Sequence, residues 1–384
     1  MTSPTDQYDV DTEALRTFAD QLDMHADVHY FRIGEHGRTP ERVLGVFSPG
    51  EPCAPMVGAM LLFLDDYTRL CEAEFGAFTR LADGMRRTSS ALDDVALRYD
   101  QQEEANEHRL AQIHVSDAGP TGANPSQYGP RPTTQHTRRP AWRQPRHDPL
   151  SHLEHVDITN RGATIGTRDD AEERLKKLSL SLSGWLDTFV QSLTGFSMLK
   201  SFVIPLIGPW WLIEATGKYF SQKADAVGDV GADLRTGGDQ LTTSFWSGAA
   251  ADGFDRHITV ASDVVDSHRD TLREAGSLLV RMGRTLDRDA EEIADGIEVV
   301  IDLAIEIASG VGLYKRGLQT YADYLAELAK APRDVLAQIK GLFEAVKDVF
   351  ETGWHLAEAL DTLCVDIDPL VKSVHELDIP RTDG

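Results

Sequence analysis

Side chains able to do chemistry are spread thinly along the 384 residues. His25 and His29 stand four apart, and His152 and His155 three apart, spacings that can bring two imidazoles to one helix face for a metal ion. Neither pair has a cysteine or a carboxylate set at zinc-site spacing beside it, and no His-Glu-x-x-His occurs. They read as surface histidines, and no metal is expected. His268 falls on the apolar seam of a helix, where a neutral buried imidazole is expected. Cys53, Cys71 and Cys364 are an odd, sparse set rather than a disulfide framework. On one helix Cys53 and Cys71 would lie about 27 Å apart, too far to bridge, so burial as small apolar residues is expected for all three. Gly228, Gly231, Gly237 and Gly238 have no Gly-Lys-Ser/Thr after them and no strand before them. They suit close approach of two helices, with a kink at Gly237-Gly238. There is no Gly-x-Ser-x-Gly elbow, no Cys-His arrangement and no carboxylate pair set for acid–base work. The chain reads as non-enzymatic, without a cofactor or a small-molecule substrate.

Two other sets suit recognition rather than catalysis. Trp246-Ser247-Gly248 separates two helical patterns, and its glycine can supply positive φ or close approach at a reversal. Ser247 is a candidate N-cap there, and Trp246 can fold over both helix ends. Tyr99 and Glu103 are one turn apart on one helix face, and no other tyrosine of the chain has an acid four residues on.

The elements that must position these residues are helical. Long Ala/Leu/Asp/Glu/Arg stretches dominate, clustered β-branched or aromatic runs are few, and no Asn-Gly hairpin signal occurs, so the fold class expected is all-α. Asp11 or Thr12 can cap a first helix with Leu15, Phe18, Leu22 and Ala26 on one face. His29 to Pro55 has no clear period and reads as a loop, with Pro55 in the first turn of the next helix. From Met60 through Tyr67, Leu81 and Leu92 to Tyr99 the apolar residues form one stripe, which closes a first helical hairpin over 1–115. Residues 116–170 are a Pro-rich, locally basic linker expected to be a solvated tether.

A second hairpin, 171–308, is centred on Trp246. Tyr219, Ala224, Val227, Leu234 and Leu241 line its first arm, and Phe254, Ile258, Val265, Leu272, Leu279, Leu286, Ile293 and Ile297 its second. Its lead-in, Thr188 to Ile213, carries Lys200 as its one charge. Pro205 and Pro209 interrupt that stretch, so a buried packing segment is expected, with membrane insertion through 188–213 as an alternative. Residues 309–384 form a C-terminal helical region. Ser309-Gly310-Val311-Gly312 breaks the pattern, Pro332 starts a helix with Leu336, Ile339, Phe343, Val346, Phe350, Trp354 and Leu360 along it, and Leu370, Val374 and Leu377 add a final turn. A net charge of −24 argues against nucleic acid and against an anionic membrane surface. Met1 to Asp20 has neither a basic n-region nor an apolar h-region, so no Sec signal peptide is expected.

Trp246-Ser247-Gly248, followed by Ala-Ala-Ala-Asp-Gly-Phe and preceded by Gly208-Pro209-Trp210-Trp211, resembles the hairpin signature of the WXG superfamily. These are small helical proteins exported by type VII (ESX) secretion, and related hairpins head actinobacterial polymorphic toxins. The stretch from Phe75-Gly76-Ala77 through Tyr99 to Glu103-Glu104-Ala105 is similar to the EspC-like excreted virulence factors. The resemblance implies antiparallel hairpins that pair as a four-helix bundle. It also implies a bipartite export signal, with Trp246 and Gly248 at the turn and Tyr99 and Glu103 on the tail. The partners implied are the type VII secretion machinery and a WXG-type protein or separate toxin, and the destination is the cell envelope or the medium after a cytoplasmic stage. The first unit departs from the pattern in lacking a Trp-x-Gly, and no toxin domain follows the second. A cytoplasmic partner or chaperone of another secreted protein is the other alternative.

Overall fold

The computed structural model describes residues 10–36, 59–116, 141–142, 147–153, 171–182, 187–188, 190–191, 197–203, 210–309 and 321–375. The fold is all-α. Among the described residues long helices pack on one another, and the β-type pairing is an isolated bridge between Val10 and Trp246. Pro55, Cys53, His155, Pro205, Pro209, Leu377 and most of the Pro-rich stretch lie outside the described residues.

Helix α1 (Thr12–Met24) starts where the sequence places it, with the Asp11 carboxylate accepting from the Ala14 N–H at 3.1 Å. Leu15, Phe18, Leu22 and Ala26 are buried along it. The chain then continues through a π turn, His25–Tyr30, into α2 (Phe31–Glu35). The loop expected from His29 therefore begins no earlier than His36. A π turn inserts one residue and rotates the apolar face, and this re-registration hides the helical period from a sequence reading. It brings Tyr30 onto Phe78, ring centroids 5.6 Å apart, and buries Ile33.

Helix α3 (Ala59–Ser116) buries Tyr67, Leu70, Ala77, Leu81, Met85 and Leu92 on the expected stripe. After α4 (Ala171–Leu182) comes the hairpin proper. Helix α5 (Trp210–Gln240) runs through Gly237-Gly238 uninterrupted and passes into a π turn, Leu241–Phe245. Helix α6 (Ala249–Ser309) returns beside it, with Phe254, Ile258, Val265, Leu272, Leu279, Leu286, Ile293 and Ile297 buried as the seam requires. The two backbones touch at Gly217 and Gly276, where a Cβ on Gly217 would stand 2.6 Å from the Gly276 carbonyl oxygen. Gly237 gives its space to α1, since a Cβ there would meet the Phe18 ring at 2.3 Å. Upstream, Val190, Met198, Val203, Trp210 and Ile213 are buried, and no helix is long and apolar enough to cross a membrane, among the described residues.

Helix α7 (Tyr321–His375) packs on α6 and α3. It passes through Pro332 rather than starting there. The proline costs roughly 3 kcal/mol in a helix interior, which burial of Val335, Ile339 and Leu342 in the following turns offsets. Its core face is also not the one expected. Ile339, Val346 and Leu360 are inside as read, but Leu336, Phe343 and Trp354 are exposed, and Val335, Leu342, Val349, Leu356 and Leu363 take the core positions. Two apolar faces on one helix merge into a single stripe when only i+3/i+4 steps are followed. One buried ion pair ties α3 to α5. Lys223 Nζ donates to Glu74 Oε1 at 2.8 Å, with Phe78 and Phe220 flanking the ammonium.

The stretch expected to be a tether is partly docked. Trp142 lies 5.9 Å from the Phe18 ring and 5.7 Å from that of Phe245, and Pro149–His152 forms a 3-10 turn capped by Asp148. Apolar Trp142 and buried Pro149 hold these pieces against the body.

Candidate functional site

The Trp-x-Gly turn is built by the end of α5. The Trp246 N–H donates to Leu241 O at 2.9 Å, closing the π turn, and Gly248 adopts φ of 109°, which side chains with a Cβ rarely take. The Gly248 carbonyl accepts from the Asp252 N–H at 3.0 Å, so Gly248 rather than Ser247 stands at the start of α6. Trp246 is 4% exposed and packs on Phe254 at 5.6 Å between ring centroids. Its indole N–H has no hydrogen-bond partner among the described residues. The residues just before α1 cover the turn: Val10 bridges Trp246, and the Asp11 N–H donates to Phe245 O at 2.8 Å.

Tyr99 lies half-buried against the core well inside α3, which runs on to Ser116, and Glu103 is exposed one turn further along. Between them Asp100 reaches α1, accepting from Arg16 and from the Thr12 hydroxyl. The Arg16 guanidinium, with Thr12 second, holds the Asp100 carboxyl below the usual carboxylate range. Asp11 meets the turn while its neighbour Thr12 meets Asp100. The two predicted sets therefore lie at one end of the helical body, held by the first turns of α1. Arg16 and Asp100 drew no attention in the sequence, where nothing relates positions 84 residues apart.

A second polar cluster lies on α5. Asp229 and Asp233 are one turn apart. His152 Nε2 is 2.9 Å from Asp229 Oδ2, and His147 Nδ1 is 2.7 Å from Asp233 Oδ1. Asp233 is buried, which pushes its pKa up despite the imidazole, and its carboxylate in turn raises that of His147. Its other oxygen is 3.8 Å from His25 Nε2. His25 and His29, expected at the surface, are both buried, because the π turn carries them inward between α1 and α5. Their Nδ1 atoms are 2.8 Å apart, so one ring donates and the other accepts. Burial, with His29 adding a like charge, pushes His25 down to about 3.

His268 is fully buried and neutral as expected, pushed down to about 3 by burial with Lys223 adding to it, and neither ring nitrogen has a hydrogen-bond partner among the described residues. His257 is lowered by burial too, its Nε2 3.0 Å from the Thr88 hydroxyl. Cys71 is buried as expected, whereas Cys364 is half-buried, and neither forms a disulfide among the described residues. Among the described residues no group of three or more His, Cys, Asp or Glu side chains is arranged to hold a metal ion. No family model matches the chain, and neither the curated proteins nor the solved structures provide a match.

Proposed function

We propose that this chain is a non-enzymatic substrate or delivery module of a type VII secretion system, read through the Trp246–Gly248 turn together with Tyr99 and Glu103. The observation that supports this reading is the gathering of both sets at one end by α1: Asp11 bonds to Phe245 at 2.8 Å and Thr12 to Asp100. A signal split between a helix and a turn 147 residues apart in sequence, from Tyr99 to Trp246, is useful to a receptor only when folding brings the halves together. Burial of Met198, Val203 and Trp210 gives the lead-in a packing role and favours this reading over membrane insertion.

The test separates folding from export. Tyr99 is half-buried, so Tyr99→Ala should cost about 1 kcal/mol. Glu103 is exposed on a part of α3 more than three turns short of its end, so Glu103→Ala should be neutral in stability to within about 0.5 kcal/mol. Both variants should reduce the culture-filtrate to cell-pellet ratio in a host with a matching secretion system. Unchanged export of the double variant, with helicity and melting intact, refutes the role of these residues.

A further inference from the structure

Helix α7 carries an exposed apolar face apart from the one that packs on the body. Leu336 is 42% exposed, Phe343 39%, Trp354 60% and Val365 64%. At 100° per residue these four lie within about 40° of one another, and the centre of the buried face (Val335, Ile339, Val346, Val349) is about 95° round the helix. The steps of seven, eleven and eleven residues keep the face parallel to a nearly straight helix for about 43 Å. Lys340, Lys347, Glu358 and Asp361 share it, the cations in its N-terminal half and the acids in its C-terminal half.

We infer that this face pairs antiparallel with the same face of a second copy of the chain. The sequence is self-complementary about one point. Leu336 with Val365, Lys340 with Asp361, Phe343 with Glu358 and Lys347 with Trp354 are four pairs, each centred between Phe350 and Glu351. A twofold axis there sets aliphatic on aliphatic at both ends, lysine on aspartate one turn further in, and an ammonium on an indole near the middle. Placing the helices parallel would instead set Lys340 on Lys340 and Asp361 on Asp361. In the monomer Lys347 is held by Glu351 at 3.0 Å and Asp361 by Arg69, exposed pairs that exchange partners with little loss. A lipid surface suits the face less well, because two acids interrupt it where an interfacial helix keeps an unbroken apolar strip flanked by cations.

Sedimentation velocity of the full chain from about 1 to about 100 µM tests this, the window in which a dissociation constant of order 10 µM shows. A monomer–dimer equilibrium is expected. Trp354→Glu should weaken self-association roughly thirtyfold or more, with helicity and melting unchanged because the side chain is already exposed. Lys340→Glu/Lys347→Glu and Glu358→Lys/Asp361→Lys chains should each dimerise poorly alone and form a heterodimer when mixed, and the fourfold exchange Lys340→Glu/Lys347→Glu/Glu358→Lys/Asp361→Lys should restore self-association, which the antiparallel register alone provides. A chain that stays monomeric throughout overturns the inference. So does a dimer indifferent to Trp354→Glu, or two charge-swapped chains that fail to pair. Trp354-dependent binding to mixed phosphatidylcholine/phosphatidylglycerol vesicles without self-association would assign the face to lipid instead.

Discussion

Acidification should destabilise this protein steeply, because its helices bury imidazoles that cannot take a proton where they stand. His25 and His268 are both pushed down to about 3. An unfolded histidine titrates near 6.5, so each contributes stability that is full above that pH and is lost as the pH falls toward the folded value. Each group costs about 1.4 kcal/mol per pH unit over that window. Between pH 7 and pH 5 the two together remove roughly 4 kcal/mol, a large share of the 5–15 kcal/mol typical of a domain. His29 and His257, also lowered by burial, act in the same direction. His147 opposes them, since Asp233 raises its pKa and its docking is strongest below pH 6.5. Loss of negative charge from a chain at −24 also opposes them by relieving self-repulsion. Urea unfolding followed by circular dichroism at pH 7 and pH 5 measures the balance. With a slope of about 3 kcal/mol per molar urea, the midpoint should fall by roughly 1 M. His25→Leu/His268→Leu should abolish most of that fall, which ties it to these two rings. A midpoint unchanged between the two pH values, with unchanged slope, refutes the reasoning.

Trp246→Ala removes a nearly fully buried indole that packs on Phe254 and should cost about 3–5 kcal/mol, read as a large drop in melting temperature. Lys223→Met alone should destabilise by about 3–5 kcal/mol, because it strands the buried Glu74 carboxylate. Lys223→Met/Glu74→Leu should recover most of that loss, and a double-mutant cycle in urea measures the coupling.

What was legible in the sequence is what repeats without interruption. The α6 seam keeps its three-and-four stepping from Phe254 to Ile297, the α3 stripe keeps it to Leu92, and both are buried as read. Gly248 was legible for a different reason: a glycine between two helical patterns answers a local backbone need, met here at φ of 109°. Errors arise where a local rule meets a non-local fact. The π turn at His25–Tyr30 shifts the period by one residue, so buried histidines look like surface ones and a helix looks like a loop. On α7 the large exposed side chains Phe343 and Trp354 outweighed Val335 and Val349 in a pattern scored by hydrophobicity. The Arg16–Asp100, Glu74–Lys223 and His147–Asp233 pairs left no trace, because each joins side chains far apart in sequence.

Helix α1 is small beside α3, α6 and α7, yet it and its two caps touch the Trp246 turn, α3, α5 and α6. At its N-terminus Asp11 bonds to the Trp246 turn and Thr12 to α3. Midway Phe18 packs on Trp142 and edge-on to Phe254, in the space that Gly237 leaves open. At its C-terminus His25 closes over Asp233. These points are separated by about two turns of helix each, roughly 10 Å, and a helix transmits displacement along its axis because its backbone bonds resist bending. Thirteen residues are marginal as an isolated helix, so α1 owes its order to these same contacts. Protonating His25 would therefore weaken the hold on Trp246 and Asp100 as well as the contact with Asp233. The acid-sensitive ring and the Trp246 turn are held by two ends of one docked element.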